Sequence, residues 1–300
     1  MVERKLLEKL EFESEDIDYI IECDKRYGSK ISPLSSEFMQ SEKSENERRA
    51  FSSELVQKAV DTAPDFDNPY ILRLLFWLYC IPYAKENYKK KNISEEIFFD
   101  TMKDISCKTR ECKEVYGKTG IYYQYFYLHF GYVYFALGRL QFCIDTYAHD
   151  TYSSGGYVIN KGDRIYSCHI PSGDRLTEEK CMQSLQRAYE FFKPELKGNI
   201  LPVICTSWLL YPPYIECVFP KDSNMERFAK LFDIKGQYET GRRFTECERI
   251  FGVTFEGSTE NFPCDNSLRR NMIEYMNSGR PSGHGIGIIL YDGIKREIVR

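Results

Sequence analysis

The sequence predicts an α/β (α+β) fold, a mixed sheet with flanking helices, preceded by an all-helical domain. Three observations carry that prediction. Through the first 120 residues apolar positions recur at helical spacing, separated by capping and loop residues. From 121 to 300 short extended runs alternate with helical patterns, the order expected of an α/β domain. Within that second part, Cys168 to Ala188 reads as a strand, a tight loop and a helix start.

The elements of the first domain, 1–120, follow in order. Glu3–Glu11 is a short charged helix. Ser14, ahead of Glu15 and Asp16, starts a helix over Asp16–Arg26, and Gly28 stops it. Ser29–Glu45, with Ser, Pro and charge, is expected to be a loop. Glu47–Thr62 carries Phe51, Leu55, Ala59 and Val60 on one face. Asp67 or Asn68 caps the next helix, with Pro69 at its first position, running through Leu72, Leu75, Phe76 and Tyr79 towards Pro82. Ser94 with Ile97 opens another, to about Tyr116.

The character changes at Gly117–Gly120. Tyr122–Tyr134 is dense in aromatics, and periodicity leaves helix and strand both open. Phe135–Tyr147 reads as extended. Val158–Asn160 and Arg164–Ile170 read as a hairpin around Lys161, Gly162 and Asp163. In the central stretch, Tyr166, Cys168 and Ile170 share a strand face; Pro171, Ser172, Gly173 and Asp174 are turn residues; Thr177 suits an N-cap. Cys181, Leu185, Ala188, Tyr189 and Phe192 then recur at helical spacing. Ile200–Thr206 is continuously apolar enough for a strand covered on both faces. Pro212 and Pro213 open a short helix, Ser223 and Glu226 suggest a capping box, and Ser267 caps Leu268–Met276. Gly287–Tyr291 and Ile294–Val299 form a terminal hairpin through Asp292 and Gly293. The glycine run Arg280–Gly287 has the spelling of a phosphate loop. Ile288, Ile289 and Leu290 follow it instead of a helix, so it reads as a turn feeding an edge strand.

Composition bounds the function. The 300 residues suffice for one large or two ordinary domains. Apolar content of 42% is modest, but 23 Tyr and 20 Phe supply large buried areas. A net charge of −4 argues against general nucleic-acid binding. The first residues lack the apolar core of a signal peptide, and Ile71–Tyr83 is too short to span a bilayer, so no membrane partner is expected. Eleven Cys at irregular spacing, with no Cys-x-x-Cys, imply reduced thiols in a cytoplasmic protein. Cys107 and Cys112 would need two more ligands to hold zinc, and no metal is expected.

The loop Ser172–Thr177 is the first candidate site. A loop entering a helix N-terminus presents backbone N–H groups and the positive end of a dipole, which suits phosphate. Arg139 and Gln141, alternating with Leu140 and Phe142, are placed to project together and hold an acceptor carboxylate or a donor; a solvated strand face stays equally open. His169 adjoins the loop and is a candidate base, against the alternative of a structural histidine. Cys205 reads as a buried thiol, and Ser207 as a turn cap.

Four separated segments carry a resemblance: Phe135-Ala136-Leu137-Gly138-Arg139-Leu140-Gln141-Phe142; His169-Ile170-Pro171 with Leu176-Thr177; Ser207-Trp208-Leu209; and Asp222-Ser223-Asn224 with Arg227-Phe228. Together they resemble a family of bacterial acyltransferase-domain proteins with a helical N-terminal domain and a GNAT-like C-terminal domain. The resemblance implies a GNAT-like mixed sheet over 121–300. It also implies acyl-CoA, such as acetyl-CoA, as donor and a small-molecule amine as acceptor. It would lay the pantetheine along Tyr166–Ile170 and the pyrophosphate against Ile170, Ser172, Gly173, Asp174, Arg175, Leu176 and Thr177. A tyrosine acid at Tyr211 or Tyr214 is implied in the same way, complementing His169. This chain departs from the usual loop in having Gly173 alone, then Asp174, Glu178 and Glu179, acids that repel phosphate. That departure keeps a non-catalytic ligand-binding protein open as an alternative, and the aromatic helical domain keeps an interaction scaffold open. Acyl length, acceptor identity and oligomeric state are not legible.

Overall fold

The computed structural model describes residues 1–123 and 125–300, with the backbone alone at residues 45 and 46. The chain divides into two compact units, Met1–Ala136 and Leu137–Arg300, where the change of sequence character suggested 120/121.

The first unit is helical: α1 (Arg4–Lys9), α2 (Ser14–Gln40), α3 (Glu45–Asp61), α4 (Pro69–Lys90), α5 (Glu95–Met102), α6 (Asp104–Tyr116) and the single turn α7 (Tyr127–Phe130), closed by the two-residue strand β1 (Phe135–Ala136). Local caps behave as the sequence predicts. Asn68 accepts from the Tyr70 N–H ahead of Pro69, and Ser94 from that of Ile97.

Two expectations fail here for tertiary reasons. Ser29–Glu45 is not a loop, since α2 continues unbroken through Gly28 and Pro33 to Gln40. Gly28 is a contact point, not a stop: a Cβ there would fall 2.2 Å from Asp24 Oδ1 and 2.3 Å from the Tyr79 hydroxyl. A proline inside a helix costs about 3 kcal/mol. Burying Ile31, Ser35 and Phe38 outweighs that cost. Phe38 packs 5.9 Å from Phe76 and 5.6 Å edge-on from Trp77, and Ser35 donates to the Phe76 carbonyl at 2.8 Å. The helix opened by Ser94 is likewise two helices, broken at Lys103. Between residues 122 and 134 the chain forms neither a long helix nor a strand, only α7; Gln124 lies outside the described residues. Its aromatic rings lie over a charged stripe of α6. Lys108 and Glu111 pair at 2.8 Å, His129 Nε2 lies 3.2 Å from Asp104 Oδ2, and all four side chains are buried.

The second unit holds β2 (Gln141–Thr146), β3 (Tyr152–Ser154), β4 (Tyr157–Ile159), β5 (Arg164–His169), α8 (Glu178–Phe192), β6 (Ile200–Ser207), α9 (Pro212–Cys217), α10 (Asn224–Ala229), β7 (Asp233–Gly241), α11 (Cys247–Phe251), α12 (Ser267–Asn277), β8 (Ser282–Asp292) and β9 (Glu297–Val299). The sheet order is β2-β5-β6-β8-β7, with β9 also on β8. Among these described pairings β5 with β6 is parallel and the others are antiparallel.

The expected hairpin at Lys161–Asp163 is replaced. β4 turns back on β3, while β5 pairs with β2 from Gln141↔His169 to Thr146↔Arg164. The Tyr147 backbone seals that β2–β5 end, donating to Asp163 O at 2.9 Å and accepting from Gly162 N at 2.8 Å. The residues between Phe135 and Gln141 turn rather than extend. The cap of α12 is Asn266, one residue before the expected Ser267.

One sheet face carries Ile165, Ile204 and Ile288 beneath Tyr147, Tyr152 and Ile159 of the β3–β4 excursion. The other meets α8, where Phe192 lies 4.4 Å from the Tyr166 ring. On that second face β8 presents Gly283, Gly285 and Gly287, every second residue. A Cβ would fall 2.6 Å from the Tyr211 ring at Gly283, 1.9 Å from Leu210 O at Gly285 and 2.7 Å from Phe232 Cβ at Gly287. The glycine run is therefore a groove for the turn after β6. β8 is a central strand and not an edge.

Candidate active site

β5 runs into the loop Ile170–Thr177 and then α8, as the sequence requires. Thr177 caps α8, accepting from Lys180 N at 3.3 Å. Gly173 has φ +112°, a conformation that side chains resist. The Arg139 guanidinium holds the loop from below, with Nε donating to Asp174 O at 2.7 Å and NH1 to Pro171 O at 2.9 Å. Arg249 donates to Ile170 O at 3.0 Å. The Asp174 carboxylate pairs with Lys180, whose hydrogen bond and then charge hold it below the usual carboxylate range. The acids at this helix start are thus partly answered by Lys180, a compensation the sequence reading missed because it is six residues away.

Arg139 and Gln141 have separate tasks. Arg139 organises the loop. Gln141 is buried at 1% exposure, opposite His169 in the β2–β5 register, and its Oε1 has no hydrogen-bond partner among the described residues. His169 ends β5 on the same face as Gln141, partly buried.

The β5–β6 seam bears on what this end can admit. β2 and β5 share six partner positions, and β6 and β8 share eight, but β5 and β6 share only Tyr166↔Val203 and Ser167↔Ile204. Beyond that point no register joins Cys168–His169 to Cys205–Ser207 among the described residues. Cys168 and Cys205 stand where the strands part, and the hydrogen bond with Cys205, then burial, raise the Cys168 thiol well above its ordinary value. Such thiols are poor nucleophiles. Ser207 caps the following turn, accepting from Leu209 N at 3.2 Å.

Tyr211 and Tyr214 lie together, 5.1 Å apart edge-to-face, both fully buried. The Tyr211 ring fills the space beside Gly283 of β8. The Tyr214 hydroxyl donates to buried Glu246, which also accepts from Ser282 Oγ at 3.0 Å. Burial and that neighbouring carboxylate push the Tyr214 hydroxyl far above its ordinary pKa. Its hydroxyl is committed to Glu246, and Glu246 had no local sequence signal at all. His284 was also missed: it lies inside the glycine run, where the alternation Gly283-x-Gly285-x-Gly287 would have revealed a strand.

Two concavities of the second unit lie elsewhere. One of about 570 Å³ is lined by Tyr157, Arg164, Glu195 and Pro202, and another of about 510 Å³ by Tyr147, Lys235 and Ile288; neither includes the loop. No two of the eleven cysteines are joined by a disulfide. Cys107 Sγ accepts from Arg110 at 3.1 Å, and no group of three or more metal-binding side chains converges among the described residues. No described helix is long and apolar enough to cross a membrane.

Residues 134–289 match the family described as GNAT-like C-terminal domain, and residues 1–130 that described as N-acyltransferase N-terminal domain. No curated protein sequence matches the chain. Among solved structures, an acyltransferase in complex with decanoyl-CoA and teicoplanin superposes with TM-score 0.69 at 18% identity, covering 96% of this chain and 87% of that one. An acyltransferase mutant in complex with octanoyl-CoA gives 0.68 at 18%, with coverages of 96% and 87%. A decanoyl-CoA complex gives 0.66 at 19%, with 95% and 86%. At these identities the likeness is one of fold.

Proposed function

Because the chain belongs to the family with a GNAT-like C-terminal domain, here joined to an N-acyltransferase N-terminal domain, we propose that it moves an acyl group from acyl-CoA to an amine of a small molecule. The observation that carries this reading is the parted β5–β6 seam opening towards a capped helix start. A pantetheine would lie along Tyr166–Ile170. The pyrophosphate would lie against the backbone of Ser172–Thr177, where the dipole of a 15-residue helix favours negative charge and Arg175 is exposed. Arg139 would hold that loop in shape before the donor arrives, which lowers the ordering cost of binding.

His169, at the mouth of the seam, is our assignment for proton transfer at the reacting centre. The amine nitrogen bonds to the thioester carbonyl carbon, the C–S bond breaks, and a proton lost from the nitrogen passes to the departing thiolate. Tyr214 is better read as a support for Glu246 than as the acid for that thiolate, and Tyr211 as packing. Since fold neighbours are described with octanoyl- and decanoyl-CoA, and one with teicoplanin, a medium-chain donor and a glycopeptide acceptor join acetyl-CoA and simple amines as first substrates to test.

A second reading, a ligand-binding protein without turnover, draws on Glu178 and Glu179 facing the phosphate position. Calorimetric titration with CoA, acetyl-CoA and decanoyl-CoA, followed by mass spectrometry of acceptors, separates the two. Binding with acylated product supports transfer. Binding without product from any amine, or no binding at millimolar CoA, removes transfer and supports the second reading.

A further inference from the structure

His284 lies on β8 four residues before Ile288, so strand alternation puts both on one face. Ile288 pairs with Ile204, and Ile204 with Ser167, two residues before His169. His284, His169 and Gln141 therefore project from the same face, at the end of the sheet away from the β3–β4 excursion. Thr206 of β6 lies between the two histidines and is exposed. Two paired strand spacings and two residues of rise would set their Cα atoms about 12 Å apart, and the parting of β5 from β6 sets them wider, on either side of anything lying over Thr206.

The ring of His284 is held flat against Tyr238, 5.4 Å between centroids and 14° from parallel, and Tyr238 is itself 47% exposed. His284 Nδ1 has no hydrogen-bond partner among the described residues. Burial lowers the imidazole pKa, opposed by the charge of Glu246. The titratable groups facing it are Tyr238 from β7 and Glu246 from the turn before α11, with Tyr214 of α9 hydrogen-bonded to Glu246. Thr206 adds a neutral hydroxyl. A neutral imidazole in this position accepts protons at neutral pH.

We propose that His284 is a second catalytic residue, the base that takes a proton from the acceptor ammonium. The inference rests on the acyl-transfer reading above. An N–H bond of the ammonium breaks and its proton moves to His284. The freed lone pair bonds to the thioester carbonyl carbon and the C–S bond breaks. The bonded nitrogen sheds its second proton through His169 or water to the departing thiolate, and His284 returns its own proton to solvent. Tyr238 is a positioning residue that fixes the ring.

The test compares two acceptor probes with octanoyl-CoA: benzylamine, an ammonium at neutral pH, and hydroxylamine, a free base there. His284→Gln should lose about 100-fold in kcat/KM with benzylamine at neutral pH. It should stay near wild type with hydroxylamine, recover with benzylamine as the pH approaches the amine pKa, and bind octanoyl-CoA unchanged. Tyr238→Leu should show a smaller loss of the same selectivity. Equal loss with both probes, or a loss that ignores pH, would mark a structural role and overturn the assignment, as would full activity. Wild-type protein that fails to bind octanoyl-CoA, or binds it and acylates neither probe, removes the underlying reading and this inference with it. Those outcomes are told apart from failure of His284 alone by the wild-type measurement.

Discussion

Gly173 and Gly285 belong to the same unit and answer different needs. At Gly173 the backbone itself is unusual, with φ +112° in a loop exposed to solvent. At Gly285 the backbone is ordinary strand, and what is unusual is the neighbour: Leu210 O occupies the space a Cβ would take, at 1.9 Å. One glycine supplies a conformation, the other an empty volume. A conformational need is satisfied at one residue and tolerates a wet, adjustable surrounding. A volume need is shared across two packed segments, and here three glycines in alternation meet it together.

The contrast makes Gly285→Val the most damaging substitution we expect. The added side chain meets backbone that cannot move without lifting the Trp208–Leu210 turn off β8, so a loss of about 3 kcal/mol or more is expected. Denaturant unfolding reads it, and a loss under about 1 kcal/mol would show that the turn can yield. Gly173→Val should cost less, about 1–3 kcal/mol of backbone strain, but should weaken CoA binding at least tenfold if the loop holds the pyrophosphate. Unchanged CoA affinity in a folded Gly173→Val protein would move the donor away from this loop. Thr177→Ala comes next, at about 1 kcal/mol through the lost cap, and an unchanged unfolding midpoint would show that another group satisfies the Lys180 N–H. Glu178→Gln is the smallest and has the opposite sign. With one repelling charge removed, CoA should bind roughly two- to threefold tighter at low salt, the gain fading as salt rises. Calorimetry at two ionic strengths checks it, and tightening that persists at high salt would need a cause other than charge.

Features settled within a few residues were readable from the chain alone: the caps at Asn68, Ser94, Thr177 and Ser223, proline at the start of α4 and α9, and the buried strand after residue 200. What failed depended on distant partners. Gly28 spells a stop, yet Tyr79 of α4 fills the space beside it, and Pro33 is carried by the burial around it. β5 chose β2 over β4, a choice that no local turn signal encodes. β7 went unseen because an edge strand bearing Lys235, Gln237 and Glu239 leaves little apolar alternation to find. The strand end at His169, the loop and the helix start at Thr177 were legible because turn residues and a cap mark them. Glu246 and His284 were not, since a buried carboxylate and a histidine in a glycine-rich strand acquire meaning only from their neighbours.

The two-residue ladder between β5 and β6 has a mechanical consequence. The sheet is two stiff plates, β2–β5 on one side and β6–β8 with β7 and β9 on the other, riveted at Tyr166↔Val203 and Ser167↔Ile204. Load across the sheet concentrates on that line, while load along either plate is spread over six or eight residue pairs. Pulled apart through attachment points on β2 and β8, the unit should yield first at this seam, at lower force than when pulled along β8. A single inter-plate crosslink beside the rivets would stiffen the sheet more than any added contact within a plate.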